Sequence, residues 1–487
     1  MPLTISAASV NALIADPSSI TGYSASTAIV IEGQITTAQA SQLNTVVAPS
    51  ITATVATAAA SVLSAITVRS DRTNAFTLTP TETSATASVL KGVKDKTSLN
   101  GDFSNVTTIA ASPSADITAL FAPLASDGTT ANSTFKTDIT INVSDTSIAA
   151  STLNAINLLT STPVVATATT ITGGATDVKA ALGAGITHEA DVAVTITEST
   201  TNATLLNDVN GLTDGLVTVQ SSAITGTYAA VNTALAASAV GSAIAGLGAA
   251  NVTLTAADGT AATYTPTEIN TIDGLTTGII TATTAAAAKA DLLDGTNGLQ
   301  NLDVAHNITI PAITDASISG EQLNALDAKT TIDITTNATT ITGAYAAIAA
   351  AYASSSIKGL GNEAITVTGG ITVAQANALN ALTPGVVTAT ISTTDMATLA
   401  GLTLNLDANG VQVNDGAATP AAIENAYTIT PADTTVAATA LTALNSKTGT
   451  NVDATNITTL TGTLAEVGGI YTSTGNVAGI ANIEVKI

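Results

Sequence analysis

Apolar and polar positions alternate along this chain with two different periods, one helical and one of two residues. The stretch Ile371 to Ile391, ITVAQANALNALTPGVVTATI, contains one complete cycle. Thr372, followed three residues later by Gln375, is the signature of a capping box at a helix start. Ala374, Ala378, Leu379 and Leu382 fall at helical spacing, which predicts a short amphipathic helix buried on that face. Thr383, Pro384 and Gly385 stop it. Val386 to Ile391 is β-branched and Thr-rich and reads as a strand. The unit is helix, tight turn, strand.

Imperfect copies of this unit run through the sequence. Ile35 to Val55, ITTAQASQLNTVVAPSITATV, matches it at a constant offset of 336 residues. ISGEQLNALDA, from Ile318, places Ser319 and Gln322 in the capping positions. TPTEINTID, from Thr265, puts Pro266 at the first helical position and Glu268 in the box. ISAASVNAL from Ile5 and IAASTLNAI from Ile148 are further copies. A second helix type starts ITGAYAAI at Ile341, ITGTYAAV at Ile224, ITGGATDV at Ile171 and LTGTLAEV at Leu460. Its recurrent Gly is read as serving the start of the helix or close packing.

Strand-like runs recur from Asp138 to Asn482 with a mean step of about 29 residues, and a helical segment lies in nearly every gap. Strands joined through helices need crossover connections, which are right-handed and give parallel pairing. The predicted fold class is α/β: a right-handed parallel β/α solenoid of about 29-residue strand–helix repeats, with an irregular insertion. Residues 1–65 are N-terminal repeats, 66–136 an irregular insertion or small subdomain, and 137–487 the main repeat array. Alternation of Val or Ile with Thr predicts strands that present rows of Thr on one face.

The 66–136 region differs in composition. It holds all four Phe (Phe76, Phe103, Phe121 and Phe135) and is electrically neutral, with six cations against six acids. The cations are Arg69, Arg72, Lys91, Lys94, Lys96 and Lys136. Two readings stand: a small local Phe core with solvated charges, or an anchor to an anionic glycan or a neighbouring subunit.

Elsewhere the composition narrows the function. Aromatic residues are 2% of the chain and hydrophobic residues 45%, so the core must be built from many small side chains in closely spaced layers. The net charge of −23 with only 12 Lys and Arg argues against nucleic acid, which requires clustered cations. It equally disfavours an anionic bilayer. It suits solubility, or divalent cations bridging surface carboxylates. The most apolar run, Tyr228 to Ala250, is interrupted by Asn232, Thr233, Ser238 and Ser242 and reads as a buried helix, not a membrane insertion. Cysteine is absent, which removes thiol chemistry and disulfides. The start, MPLTISAASV, lacks the pattern of a cleaved secretory signal.

Candidate chemistry is sparse. His188 and His306 are far apart, without a catalytic motif around either, and both read as loop or strand-edge residues. No enzyme activity is expected. Asp407, Asn409, Asn414 and Asp415, in NLDANGVQVNDG, form a loose oxygen-ligand loop that makes calcium the one candidate cofactor; the alternative is a polar turn.

The Thr- and Ala-rich, acidic, Cys-free composition, together with the ITVAQANALNALTPGVVTATI type of repeat, resembles the surface-layer and extracellular repeat proteins of Gram-negative bacteria, cyanobacteria among them. The resemblance covers most of the chain outside 66–136. It implies a secreted structural protein, exported by a type I route with its signal near the C-terminus and located at the cell surface. That family commonly uses calcium through aspartate-rich loops, of which this chain has few.

The leading expectation is thus an extracellular self-assembling subunit of a filament or an S-layer lattice. Its partner is itself, as a homopolymer, with a cell-surface glycan as a further candidate. A virion fibre or tail component and a glycan-binding adhesin are the alternatives. Head-to-tail contacts are expected between the last strand, through Ile483, Val485 and Ile487, and the first repeat, through Ile5 and Leu13.

Overall fold

A computed structural model describes residues 1–71, 74–99, 101–122, 135–241, 243–404, 425–472 and 477–487. They form two compact units, residues 1–225 with 233–250, and residues 226–232 with 251–487. Both are α/β, with short helices between short strands. The expected regions 1–65, 66–136 and 137–487 do not coincide with this division. The described part of 66–136 carries strands and helices of the same kind as the rest.

In the first unit, Leu3–Ser6, Ile29–Ile35, Ile51–Val55 and Ala75–Thr77 lie side by side in chain order. A five-stranded sheet runs Ser147–Ala149, Thr170–Gly173, Ala193–Ile196, Val217–Val219, Ile244–Ala245. Another runs Ser84–Thr86, Thr108–Ser112, Thr140–Val143, Val164–Ala166, Ile186–Thr187. In the second unit the longest clear succession is Ser317–Ser319, Thr340–Gly343, Ala364–Ile371, Val387–Ile391, Ala426–Thr428. Thr435–Ala437, Thr459–Thr461 and Glu484–Lys486 form a three-stranded sheet. All of these pairings are parallel, and among the described residues no sheet closes on itself.

The register gives the repeat length directly. Ile171 lies opposite Ile148 on one side and Val194 on the other, 23 positions away in each case. Ile318 and Ile341 pair at the same interval. Other pairs are farther apart, Val252 and Ile280 by 28 positions, Thr108 and Thr140 by 32 and Thr388 and Ala426 by 38, and these longer steps lie behind the longer expected mean of about 29. Inward residues of one row, Ile171, Val194 and Val217, are buried, while Thr172, Thr195 and Thr218 stand between them in register on the other face. The Thr rows are therefore real features of the sheets.

Eight residues is the commonest helix length among the described residues, and the starts follow from local chemistry. Thr36 with Gln39, Thr265 with Glu268, Ser319 with Gln322, and Thr372 with Gln375 all form complete capping boxes. The buried face differs from the expected one. Val373, Ala376 and Leu379 point inward, Ala374 and Ala378 are exposed, and Leu382 lies beyond the helix at 37% exposure. Thr372 caps from outside, so the helical phase starts at Val373. The same three-residue stepping buries Ala150, Leu153 and Ile156, and Gly320, Leu323 and Leu326. The first of these positions is small because the next helix passes over it. A Cβ at Gly320 would lie 2.7 Å from the backbone of Ala347 and Ile348.

Glycine in the ITG segments has a backbone cause. Gly173, Gly226, Gly343 and Gly462 all have positive φ, between 130° and 156°, in the turn from strand to helix.

Candidate functional site

Many polar side chains among the described residues are spent on the chain's own backbone, one repeat away. A Thr just past the helix recurs in the turn to the next strand. Thr97, Thr160, Thr213, Thr330, Thr383 and Thr448 donate their hydroxyls to the carbonyls of Phe76, Ile139, Val192, Ile308, Glu363 and Tyr427, each 20 to 22 residues earlier. The same hydroxyls accept N–H groups two residues on, from Leu99, Thr162, Gly215, Ile332, Gly385 and Thr450. A second series comes from the Leu-Asn or Ala-Asn of the helix. Asn154, Asn324 and Asn377 donate to the carbonyls of Asp177, Ala347 and Gly401, 23 or 24 residues ahead. Thr and Asn are thus abundant because short strands leave many backbone groups that only side chains can satisfy.

Carboxylates act in the same way. Asp145, Asp315, Asp433 and Glu82 accept the first N–H of helices that begin at Ser114, Lys289, Met396 and Ala60, at 2.6 to 2.7 Å. Three of these helices follow Pro113, Ala288 or Ala59, which supply no side-chain cap, so the next repeat supplies it. Lysines serve the opposite ends. Lys94 Nζ donates to the carbonyls of Leu120 and Ala122, and Lys447 Nζ to Leu402 at 2.8 Å; burial pushes both amines down. In the 66–136 region Lys91 also pairs with Asp95 at 2.6 Å. The Phe rings there pack on one another, Phe103 on Phe135 with centroids 4.7 Å apart and Phe121 on Phe135 at 5.0 Å. Three of the four Phe thus form one ring cluster.

The one cluster of His and carboxylate groups among the described residues lies in the second unit. His306 is fully buried, just before the strand Asn307–Thr309. Asp273, the last residue of the helix Pro266–Asp273, stands with Oδ1 at 2.8 Å from His306 Nε2. His306 Nδ1 accepts the N–H of Ile280, the first residue of Ile280–Thr284, at 3.1 Å. That bond assigns the tautomer: Nδ1 carries the lone pair, and the proton sits on Nε2, donated to Asp273. Asp273 Oδ2 also accepts the Asp303 N–H at 3.3 Å. Burial pushes the Asp273 carboxyl up, against the lowering effect of the His306 hydrogen bond.

Asp273, Asp303 and His306 approach within 4.8 Å, the spacing of a cation site. The donor set does not fit one. A neutral imidazole with Nδ1 bound to a buried N–H has no second lone pair to give a metal at Nε2.

The arrangement recurs elsewhere without either titratable group. Asn74 Oδ1 accepts the Ile51 N–H at 3.1 Å, and its amide donates to Asn44 Oδ1 at 2.7 Å. Asn425 Oδ1 accepts the Val387 N–H at 2.9 Å, and Asn425 Nδ2 donates to Asn380 Oδ1 at 2.7 Å. Asn44, Asp273 and Asn380 each stand eight residues after their capping Thr36, Thr265 and Thr372. His306 and Asp273 therefore do the work of an Asn–Asn pair. Thr330 and Thr448 hold the corresponding N–H of Ile308 and Tyr427.

A second buried acid, Glu363, accepts the Tyr352 hydroxyl at 2.7 Å and the Gly361 N–H at 2.8 Å on Oε2. Burial and the adjacent carboxylate hold the Tyr352 phenol far above its ordinary range. Nearby is an open cleft of about 570 Å³ lined by Asn362, Asn377, Asn380, Thr383 and Thr403. The Asn377 and Asn380 amides already donate to Gly401 and Leu404 carbonyls.

His188, in the first unit, is half-buried and binds the carbonyls of Glu189 and Leu182 through its two ring nitrogens. The calcium candidates Asp407, Asn409, Asn414 and Asp415 lie outside the described residues. Of the expected contact residues, Ile5 and Leu13 are core side chains, at 8% and 0% exposure. Ile483 is half-buried, whereas Val485 and Ile487 are exposed at 39% and 72%. No helix among the described residues is long and apolar enough to cross a membrane. No family model, no curated protein and no solved structure matches the chain.

Proposed function

We propose that this protein is a structural, self-assembling extracellular subunit, built as a right-handed parallel β/α solenoid and joined head to tail in a cell-surface filament or lattice. The observation that carries this reading is the edge strand Glu484–Lys486. It pairs on one side with Thr459–Thr461, and no described strand pairs with its other side. Val485 and Ile487 are exposed beside that open edge. Unpaired N–H and C=O groups on a parallel edge are a template for another strand. Leu3–Ser6 is likewise the outermost strand of its sheet. Two different edges make a heterologous contact, which repeats without closing.

Because Ile5 and Leu13 are buried, the first repeat contributes the backbone edge of Leu3–Ser6 to this contact, not those side chains. The inward spending of Asn, Thr, Asp and Lys on neighbouring repeats supports a role in which the backbone itself is the product. The test is removal of Asn482 to Ile487, or Val485→Pro, which deletes a ladder donor. Electron microscopy should then show folded subunits without polymers. Normal polymers from both variants would sink the reading.

A further inference from the structure

We propose that the His306–Asp273 pair is an acid-operated latch on the strand Ile280–Thr284. Its chemistry is set by the two faces of one buried ring. On the Nδ1 side the ring is an acceptor for the Ile280 N–H, at 3.1 Å. On the Nε2 side are two carboxylates, Asp273 at 2.8 Å and Asp303 at 3.9 Å. A second proton on the imidazole can enter only at Nδ1. It turns that nitrogen from acceptor to donor, opposite a buried donor. The carboxylates draw the proton in, while the Ile280 N–H excludes it, so protonation and the Ile280 contact are alternatives.

The ring cannot turn away to relieve this. It is fully buried, and its own backbone is tied on both sides, N–H to the Lys329 carbonyl and C=O to the Thr331 N–H. The other charged groups on the packed elements are engaged elsewhere: the Lys329 amine donates to the Leu302 carbonyl and caps the segment that carries Asp303, Glu268 accepts the Thr265 N–H, Glu321 the Ala344 N–H, and Asp327 the Ser354 and Ser356 hydroxyls. The group that can yield is therefore Ile280, at the start of its strand. The equivalent Asn74 and Asn425 hold Ile51 and Val387 through amides that do not titrate. The chain thus carries two acid-insensitive copies of the same contact as internal references.

The experiment is amide exchange on the full-length protein, followed as protection factors at Ile280, Ile51 and Val387 between about pH 8 and pH 5. Ring nitrogen shifts of His306 report the protonation state in the same samples. The expected result is a loss of about tenfold or more in protection at Ile280, in step with the second protonation, with Ile51 and Val387 unchanged. H306N should hold Ile280 steady across the same range. Protection at Ile280 that follows Ile51 and Val387 while the ring protonates would overturn the proposal. So would a ring that stays neutral down to about pH 5. The wild-type comparison stands alone if H306N does not fold.

Discussion

His306 Nε2 lies 2.8 Å from Asp273 Oδ1, where the second equivalent repeat places the Asn425 amide 2.7 Å from Asn380 Oδ1. The two pairs occupy one structural position and hold the same kind of strand N–H, that of Ile280 or of Val387. A pair of residue types often associated with catalysis serves here to satisfy a buried amide.

The first prediction follows from that equivalence. His306→Ala leaves the Ile280 N–H and the Asp273 carboxylate without their partner, which should cost about 3 kcal/mol. H306N with D273N rebuilds the Asn arrangement and should recover most of that loss. Urea unfolding of the two variants checks both values. Equal destabilisation by H306A and by the double variant would show that the imidazole does something an amide cannot.

The Thr turns give the second prediction. Thr383 Oγ1 donates to the Glu363 carbonyl at 2.7 Å and accepts the Gly385 N–H at 3.0 Å. Thr383→Val keeps the shape and removes both bonds, so it should cost about 1–2 kcal/mol. Exposed Thr388→Val, in the outward row, should change stability by less than about 0.5 kcal/mol. A comparable effect at the two sites in thermal unfolding would contradict the ladder account.

What was legible in the sequence was what is local. Each capping box joins residues three apart, so Thr372 with Gln375 and Thr265 with Glu268 could be read without a fold. Parallel pairing followed from helices lying between strands. The buried helix face was displaced because Ala fills both inward and outward positions, Ala376 buried between exposed Ala374 and Ala378, so apolar spacing does not by itself choose the face. The His306–Asp273 contact was not legible, because 33 residues separate the partners and Asn fills the equivalent places. Thr383 was visible as part of the turn that stops its helix. Its meaning required the strand one repeat earlier.

Acid sensitivity has a defined sign. The Ala344 N–H holds the Glu321 carboxyl below its ordinary value of 4.5, and helix-start N–H groups do the same for Asp395 at Thr398 and Glu466 at Thr463. A carboxyl lowered in the folded state contributes stability that is present above its unfolded value and lost as pH falls through the folded one. Asp273, raised by burial, has the opposite sign. The unfolding midpoint should therefore decline as pH drops below about 4.5, and E321Q should flatten that decline. A midpoint that holds constant from about pH 5 to pH 2 would remove these caps from the account of stability.

Calcium tests the proposed assembly separately from the subunit. The net charge of −23 must be brought together whenever copies pack against one another, which divalent cations would ease. The capping carboxylates Asp145, Asp315 and Asp433 are unsuited to that task, since each has an oxygen bound to a helix N–H. Chelation cannot disturb those bonds, so EDTA should leave the subunit's unfolding midpoint unchanged. It should loosen the polymers, and added calcium should restore them. Replacing Asp407 and Asp415 by Asn removes two negative charges from the NLDANGVQVNDG stretch and should weaken the response to calcium. Polymers indifferent to both EDTA and calcium would leave edge-strand hydrogen bonds, with Val485 and Ile487 beside them, as the assembly force.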